Sequence, residues 1–115
     1  MMEITVNRLL YTASFMDGDR HHRTSGTART LASNGIRYLR FEHFATTRGP
    51  ALYVYLTKPG AGPDSGIALG RLKGIQGDQN YKLPAGLDLN VNREIVIFCK
   101  TFHIVYGRAL LQPEP

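Results

Sequence analysis

The stretch "TARTLASNGIRYLRF" (Thr27 to Phe41) carries the sharpest local instruction in the chain. Asn34-Gly35 stands between two runs rich in β-prone residues. A two-residue type I′ turn needs positive φ at both central positions, and Asn-Gly supplies it at least steric cost. The flanks therefore read as the two strands of a hairpin, about Gly26 to Ala32 and Ile36 to Phe44. In the second, Leu39 and Phe41 share one face while Tyr38 and Arg40 take the other, as the two-residue period of a strand requires.

The same pattern recurs in both directions from this hairpin. A first strand is expected from Ile4 to about Leu10, and "DGDRHHRTSG" (Asp17 to Gly26) reads as a turn in which Asp17 and Asp19 serve Asx-type bonds. In "GPALYVYLT" (Gly49 to Thr57), Leu52, Val54 and Leu56 alternate with Tyr53, Tyr55 and Thr57, giving one apolar and one aromatic face. "KPGAGPDSG" (Lys58 to Gly66) is a loop by composition, and "IALGRL" (Ile67 to Leu72) a short strand. Lys73 to Glu94 is polar and rich in Gly and Asn, and reads as a long connection outside the core. Within it, Gly77-Asp78 makes a turn, Gln79 satisfies loop backbone and Tyr81 packs beneath with its hydroxyl bonded.

Two apolar runs close the chain, Ile95 to Cys99 and Phe102 to Leu111. Ile95, Ile97 and Cys99 share one parity, Phe102, Ile104 and Tyr106 the opposite one. A bulge or tight turn at Lys100-Thr101 would reconcile them. This parity places Cys99 inward, at a strand end near the rim. The expected core is Leu39, Phe41, Leu52, Val54, Leu56, Ile95, Ile97, Phe102 and Ile104. No window of eleven residues has apolar side chains at helical spacing. The chain therefore reads as all-β: a single-domain antiparallel β-sandwich or partly closed barrel of about seven to nine short strands. It spans residues 1–112, with 113–115 as a tail.

Composition removes several functions. The 115 residues carry a formal charge of +5, but the cations are scattered, with no basic helix or block. Nucleic-acid binding is not indicated. The charge reads as solvated surface, with a basic patch facing an acidic partner as the alternative. No apolar run approaches the roughly 18 residues of a membrane span. The N-terminus lacks the basic start and apolar core of a signal peptide. One cysteine leaves no internal disulfide. No serine has a nucleophile-elbow context and no glycine-rich loop opens a helix, so a dedicated enzyme is not indicated. Cys99 with His21, His22, His43, His103 and Asp17 or Asp19 could supply mixed metal ligands, yet none has the spacing of a strong metal motif. Neighbours His21 and His22 point to opposite faces of any strand, so only one can join a given site.

Four segments in order resemble a known family. "HRTSG" (His22 to Gly26), "GPALYVYL" (Gly49 to Leu56), "LGRLKGIQGDQNYKLP" (Leu69 to Pro84) and "VIFCKTFHIVYGRALL" (Val96 to Leu111) resemble the motifs of the DM13 domain, named as an electron-transfer domain. The resemblance covers about Phe15 to Leu111. It implies a β-sandwich-type domain, usually extracytoplasmic, that occurs beside DOMON and cytochrome b561-type domains in larger proteins. It also implies a redox role for the family cysteine, matched by Cys99, with His22 as its matched histidine and possible partner or weak metal co-ligand. A haem or metal would come through a partner, a redox or cell-surface protein. Phe98 stands where the family usually has Trp, and Ala51 where Asp is common. The competing expectation is a non-enzymatic module that binds a protein or polysaccharide through Tyr53, Tyr55 and the long loops, with Cys99 structural.

Overall fold

The computed structural model describes residues 10–114. Nine strands follow in chain order: β1 (Tyr11–Asp17), β2 (Thr24–Ser33), β3 (Ile36–Thr46), β4 (Leu52–Thr57), β5 (Ile67–Arg71), β6 (Gln79–Lys82), β7 (Glu94–Cys99), β8 (Ile104–Leu110) and β9 (Gln112–Pro113). A single 3-10 turn, Pro63–Ser65, lies between β4 and β5. Every strand pairing is antiparallel. The spatial order is β5-β4-β7-β8-β1-β2-β3-β6, with β9 beside β1. Strand β1 forms the corner: Thr12 to Ser14 pair with β2, and Phe15 to Asp17 with β8. Among the described residues no helix is long and apolar enough to cross a membrane.

The two end strands meet, so the sheet nearly closes into a barrel. The segment from Leu72 to Asp78 bridges the gap. Leu72 N–H donates to the Leu52 carbonyl (2.9 Å) and Lys73 N–H to the Tyr81 hydroxyl (2.8 Å). Thr46 N–H donates to the Ile75 carbonyl (2.9 Å) and Gly77 N–H to the Phe44 carbonyl (2.8 Å). These bonds occupy backbone groups that an open sheet edge would leave exposed.

The hairpin at Asn34-Gly35 forms as read. Both residues have positive φ, 53° and 81°, and Ser33 pairs with Ile36. Strand β2 begins two residues before the expected Gly26, which sits at a bulge between Ser25 and Thr27. Near that bulge His43 also has positive φ (53°). The inward parity of Leu39 and Phe41 therefore passes to Phe44 rather than His43, which is exposed. Phe15, Phe41, Phe44 and Tyr81 form an aromatic cluster with ring centroids 4.9–5.1 Å apart. Leu52, Val54, Leu56, Ile95, Ile97 and Cys99 complete the interior wall opposite.

Several expectations are corrected. Phe102 is not core: it is 57% exposed. Cys99 pairs directly with Ile104, so Lys100 to His103 form a four-residue turn and Phe102 stands at its tip. A second irregularity, between Ile97 and Phe98, places one extra residue in β8 and turns Tyr106 inward. Ile104 packs against the core but is only half-buried. Lys73 to Glu94 is not merely a surface connection. It contains β6 and buries Gln79, Tyr81, Leu83, Leu87 and Leu89. Its buried polar groups are matched internally: Gln79 Nε2 donates to the Gly74 and Gly77 carbonyls (3.0 and 3.2 Å), and its Oε1 accepts from Tyr81. The expected strand from Ile4 lies outside the described residues except for Leu10. The first described strand is Tyr11–Asp17, where Tyr11, Ala13 and Phe15 alternate inward.

Candidate functional site

The chain brings its cysteine and one histidine to the same end of the barrel. Cys99 is the last residue of β7, inward-facing and 0% exposed, paired with Leu52 on one side and Ile104 on the other. The aromatic group beside its sulfur is Tyr106. Phe98 faces the other side of the sheet, where its ring meets Tyr55 (6.1 Å) and His103 (5.0 Å). Phe102 is at the exposed turn.

Tyr106 is only 2% exposed, and the elements around it fix its place. The bulge in β8 turns it inward. Its carbonyl accepts from Thr24 Oγ1 (2.8 Å) and from Gly18 N–H (2.9 Å). Two glycines let neighbouring segments close on it. A Cβ at Gly107 would lie 2.4 Å from the Thr24 side chain, and one at Gly49 would lie 2.9 Å from the Tyr106 hydroxyl. Gly49 and Gly107 thus permit close approach.

The outer cover of Tyr106 is His22. Its ring lies 4.4 Å from the tyrosine ring, tilted by 43°. Asp19 orients it: Asp19 Oδ1 accepts from the His21 and His22 backbone N–H groups (2.8 and 2.9 Å) and lies 2.8 Å from His22 Nδ1. The Asx turn expected at Asp19 is therefore present, and it also aims an imidazole. His22 touches Tyr106, and Tyr106 stands beside Cys99. The link between the matched cysteine and histidine runs through the phenol.

The electrostatics follow from this layering. The Tyr106 hydroxyl is pushed above its ordinary range, first by burial, then by the neighbouring Cys99 sulfur through charge and hydrogen bonding, and last by the Asp19 charge. Asp19 is held below the usual carboxylate range, first by the His22 side-chain bond and then by the His21 N–H, with desolvation opposing. The site is a thiol under a buried phenol, covered at the surface by an imidazole on a carboxylate. It offers a short run of polarisable groups from core to solvent.

The other candidates do not join it. His43 donates its N–H to Asp78 Oδ1 (2.9 Å), away from the thiol. His103 lies 4.0 Å from Asp64 and edge-on to Phe98. Asp17 accepts from Thr24 N–H (2.9 Å). Among the described residues no group of three or more His, Cys, Asp or Glu side chains is placed to hold a metal. Lys100 lies over the Tyr53 ring at 4.1 Å. The residue that sequence reasoning missed is Tyr106. It lies within the matched "VYGRALL" segment, but no role is assigned to it there, and its inward place rests on the bulge in β8.

A family model described as electron transfer DM13 matches residues 14–111. No curated protein and no solved structure matches the chain. The matched span contains every residue of the Cys99–Tyr106–His22–Asp19 layering, and the chain belongs to the DM13 electron-transfer family.

Proposed function

We propose that this domain works outside the cytoplasm as a small redox accessory. In this reading it exchanges electrons with a partner protein through Cys99, and Tyr106 and His22 form the route to the surface. The family's electron-transfer description supports the class of activity. The observation that carries the reading is the layering itself: a fully buried thiol beside a tyrosine whose ring meets a surface histidine at 4.4 Å. In the oxidising direction the Cys99 S–H bond breaks. One electron passes to an oxidised haem or metal centre of the partner, which is reduced by one unit, and the proton leaves to water at the rim. The thiyl radical is returned to the thiol by the reverse transfer. With one cysteine in the chain, an intramolecular disulfide plays no part.

The test uses hexacyanoferrate(III) as a one-electron acceptor. The parent should reduce it with loss of its free thiol, and Cys99→Ser should not. His22→Ala and Tyr106→Leu, each checked for folding by circular dichroism, should slow the reaction severalfold. Equal reduction by parent and Cys99→Ser would remove the thiol from the chemistry. No reduction by the folded parent would leave Cys99 structural, and the interaction-module reading would stand in its place.

A further inference from the structure

On the outer face of the sheet, across it from the inward-facing thiol, two cations approach one tyrosine. Lys100 Nζ lies 4.1 Å from the centre of the Tyr53 ring and the Arg71 guanidinium carbon 5.3 Å from it. The residues come from the strands on either side of β4: Arg71 pairs with Tyr53 from β5, and Lys100 follows the last residue of β7. The tyrosine ring holds both cations at one place on the surface without neutralising their charge. Among the described residues neither has a carboxylate within 4 Å; the ion pairs that exist engage Arg29, Arg40, Arg108, His22 and His103. Of the nearby acidic groups, Asp64 lies 4.0 Å from His103. Asp17 accepts from Thr24 N–H, Asp19 holds His22, and Asp78 holds Arg40 and the His43 N–H. Lys73, two residues beyond Arg71, lies over the Tyr81 ring at 5.2 Å and extends the positive surface.

We propose that Lys100, Arg71 and Tyr53 form a docking surface for a carboxylate-rich face of a partner protein. This rests on the redox reading above and names the partner's chemistry. The surface lies where such a partner would be useful. Tyr53 follows Leu52, the cross-strand neighbour of Cys99, and Lys100 follows Cys99 itself. A partner seated here is at the same end of the barrel as the thiol, across the sheet from its inward-facing side chain. Four clefts of the described surface, around Arg37, the Asp88 loop, Thr12 and Thr46, do not include Tyr53, Arg71 or Lys100. An open patch suits the face of a protein better than an enclosed small anion. The cations already occupy positions over the Tyr53 ring, which disfavours stacking of a sugar or base there.

The probe is an oligoglutamate peptide, followed by backbone amide shifts of the whole domain. The peptide should shift Tyr53, Arg71 and Lys100 and weaken as salt rises from about 50 mM to about 500 mM. The Lys100→Glu/Arg71→Glu variant should bind about tenfold or more weakly, and the corresponding Gln pair to an intermediate degree. Lys82→Glu, at the other end of the barrel, should bind as the parent does. Equal losses in both charge reversals, or shifts spread over the whole surface, would overturn the proposal. Tighter binding of a uronate oligosaccharide at the same residues would overturn it in favour of a glycan. Cys99→Ser should bind the peptide as the parent does, so failure of the redox chemistry and failure of the docking surface are read separately.

Discussion

At the residue scale, the environment of each tyrosine decides its chemistry. Burial pushes the Tyr81 phenol up to about 12, against a smaller opposing bond from Lys73 N–H. Burial also raises Tyr106, with the Cys99 sulfur adding to the effect. An exposed tyrosine ionises near pH 10. The tyrosinate absorbance of the native protein should therefore go on rising above pH 10 as Tyr81 and Tyr106 ionise. The sign for stability follows. The folded pKa of Tyr81 lies above the unfolded value, so its contribution is complete below about pH 10 and is lost as pH rises toward 12. Stability measured by denaturant should fall across that window, less steeply in Tyr81→Phe once its lower starting stability is subtracted. A single titration step near pH 10 for all tyrosines would contradict these placements. Tyr106 also shows why one side chain can be central and yet illegible: nothing in a one-dimensional string says that Gly49, Thr24 and His22 will close around it.

At the element scale, the β2–β3 hairpin gives the clearest test of local coding. Asn34 and Gly35 both hold positive φ, and a Cβ at Gly35 would meet nothing, so backbone conformation alone restricts the position. Gly35→Ala should cost about 1–2 kcal/mol, the usual penalty for a left-handed backbone with a Cβ, measured by denaturant unfolding. An unchanged midpoint would mean that the turn type is misassigned. This hairpin, β4 and β5 were legible from alternation bounded by turn residues, and β7 from a continuous β-branched apolar run buried on both faces. Strand β1 was not, because its inward set, Tyr11, Ala13 and Phe15, includes a small residue between polar neighbours, which weakens the alternation. Lys73 to Glu94 is the mixed case: its polar, Gly- and Asn-rich composition argues for a connection outside the core, whereas it holds β6 and buries Leu83, Leu87 and Leu89. Within it the expected roles hold, for the Gln79 amide serves the backbone of Gly74 and Gly77 and Tyr81 packs beneath with its hydroxyl bonded. Phe102 failed in the opposite sense: hydrophobicity suggested core, and the four-residue turn set it outside. At the site, parity correctly put Cys99 inward at a strand end, and the motif order pointed to His22. The phenol between them depended on the β8 bulge, which only the paired register reveals.

At the scale of the whole molecule, closure of the barrel depends on a polar seam. Strands β5 and β6 are the ends of the spatial order, and the segment between them carries the bonds that join the two edges. Gln79 holds that segment in shape. It is 9% exposed, its amide donates to two carbonyls, and its oxygen accepts from Gly74 N–H and the Tyr81 hydroxyl. Gln79→Ala removes these partners from groups that water reaches poorly. Each unmatched group costs about 1–3 kcal/mol, so the loss should be felt first as local opening rather than global unfolding. Hydrogen exchange should show it directly. The amides of Thr46, Lys73 and Gly77, which donate across or within the seam, should lose protection. The amides of β7, flanked on both sides by β4 and β8, should keep theirs. Uniform loss of protection across β7 and the seam would mean that the barrel opens only as a unit. Unchanged exchange at all three seam amides would mean that Gln79 does not hold the closure. The distinction bears on the thiol as well, since Leu72 is tied to the carbonyl of Leu52, the residue paired with Cys99. A seam that opens locally should therefore quicken the reaction of Cys99 with a thiol reagent in Gln79→Ala, while the β7 amides stay protected.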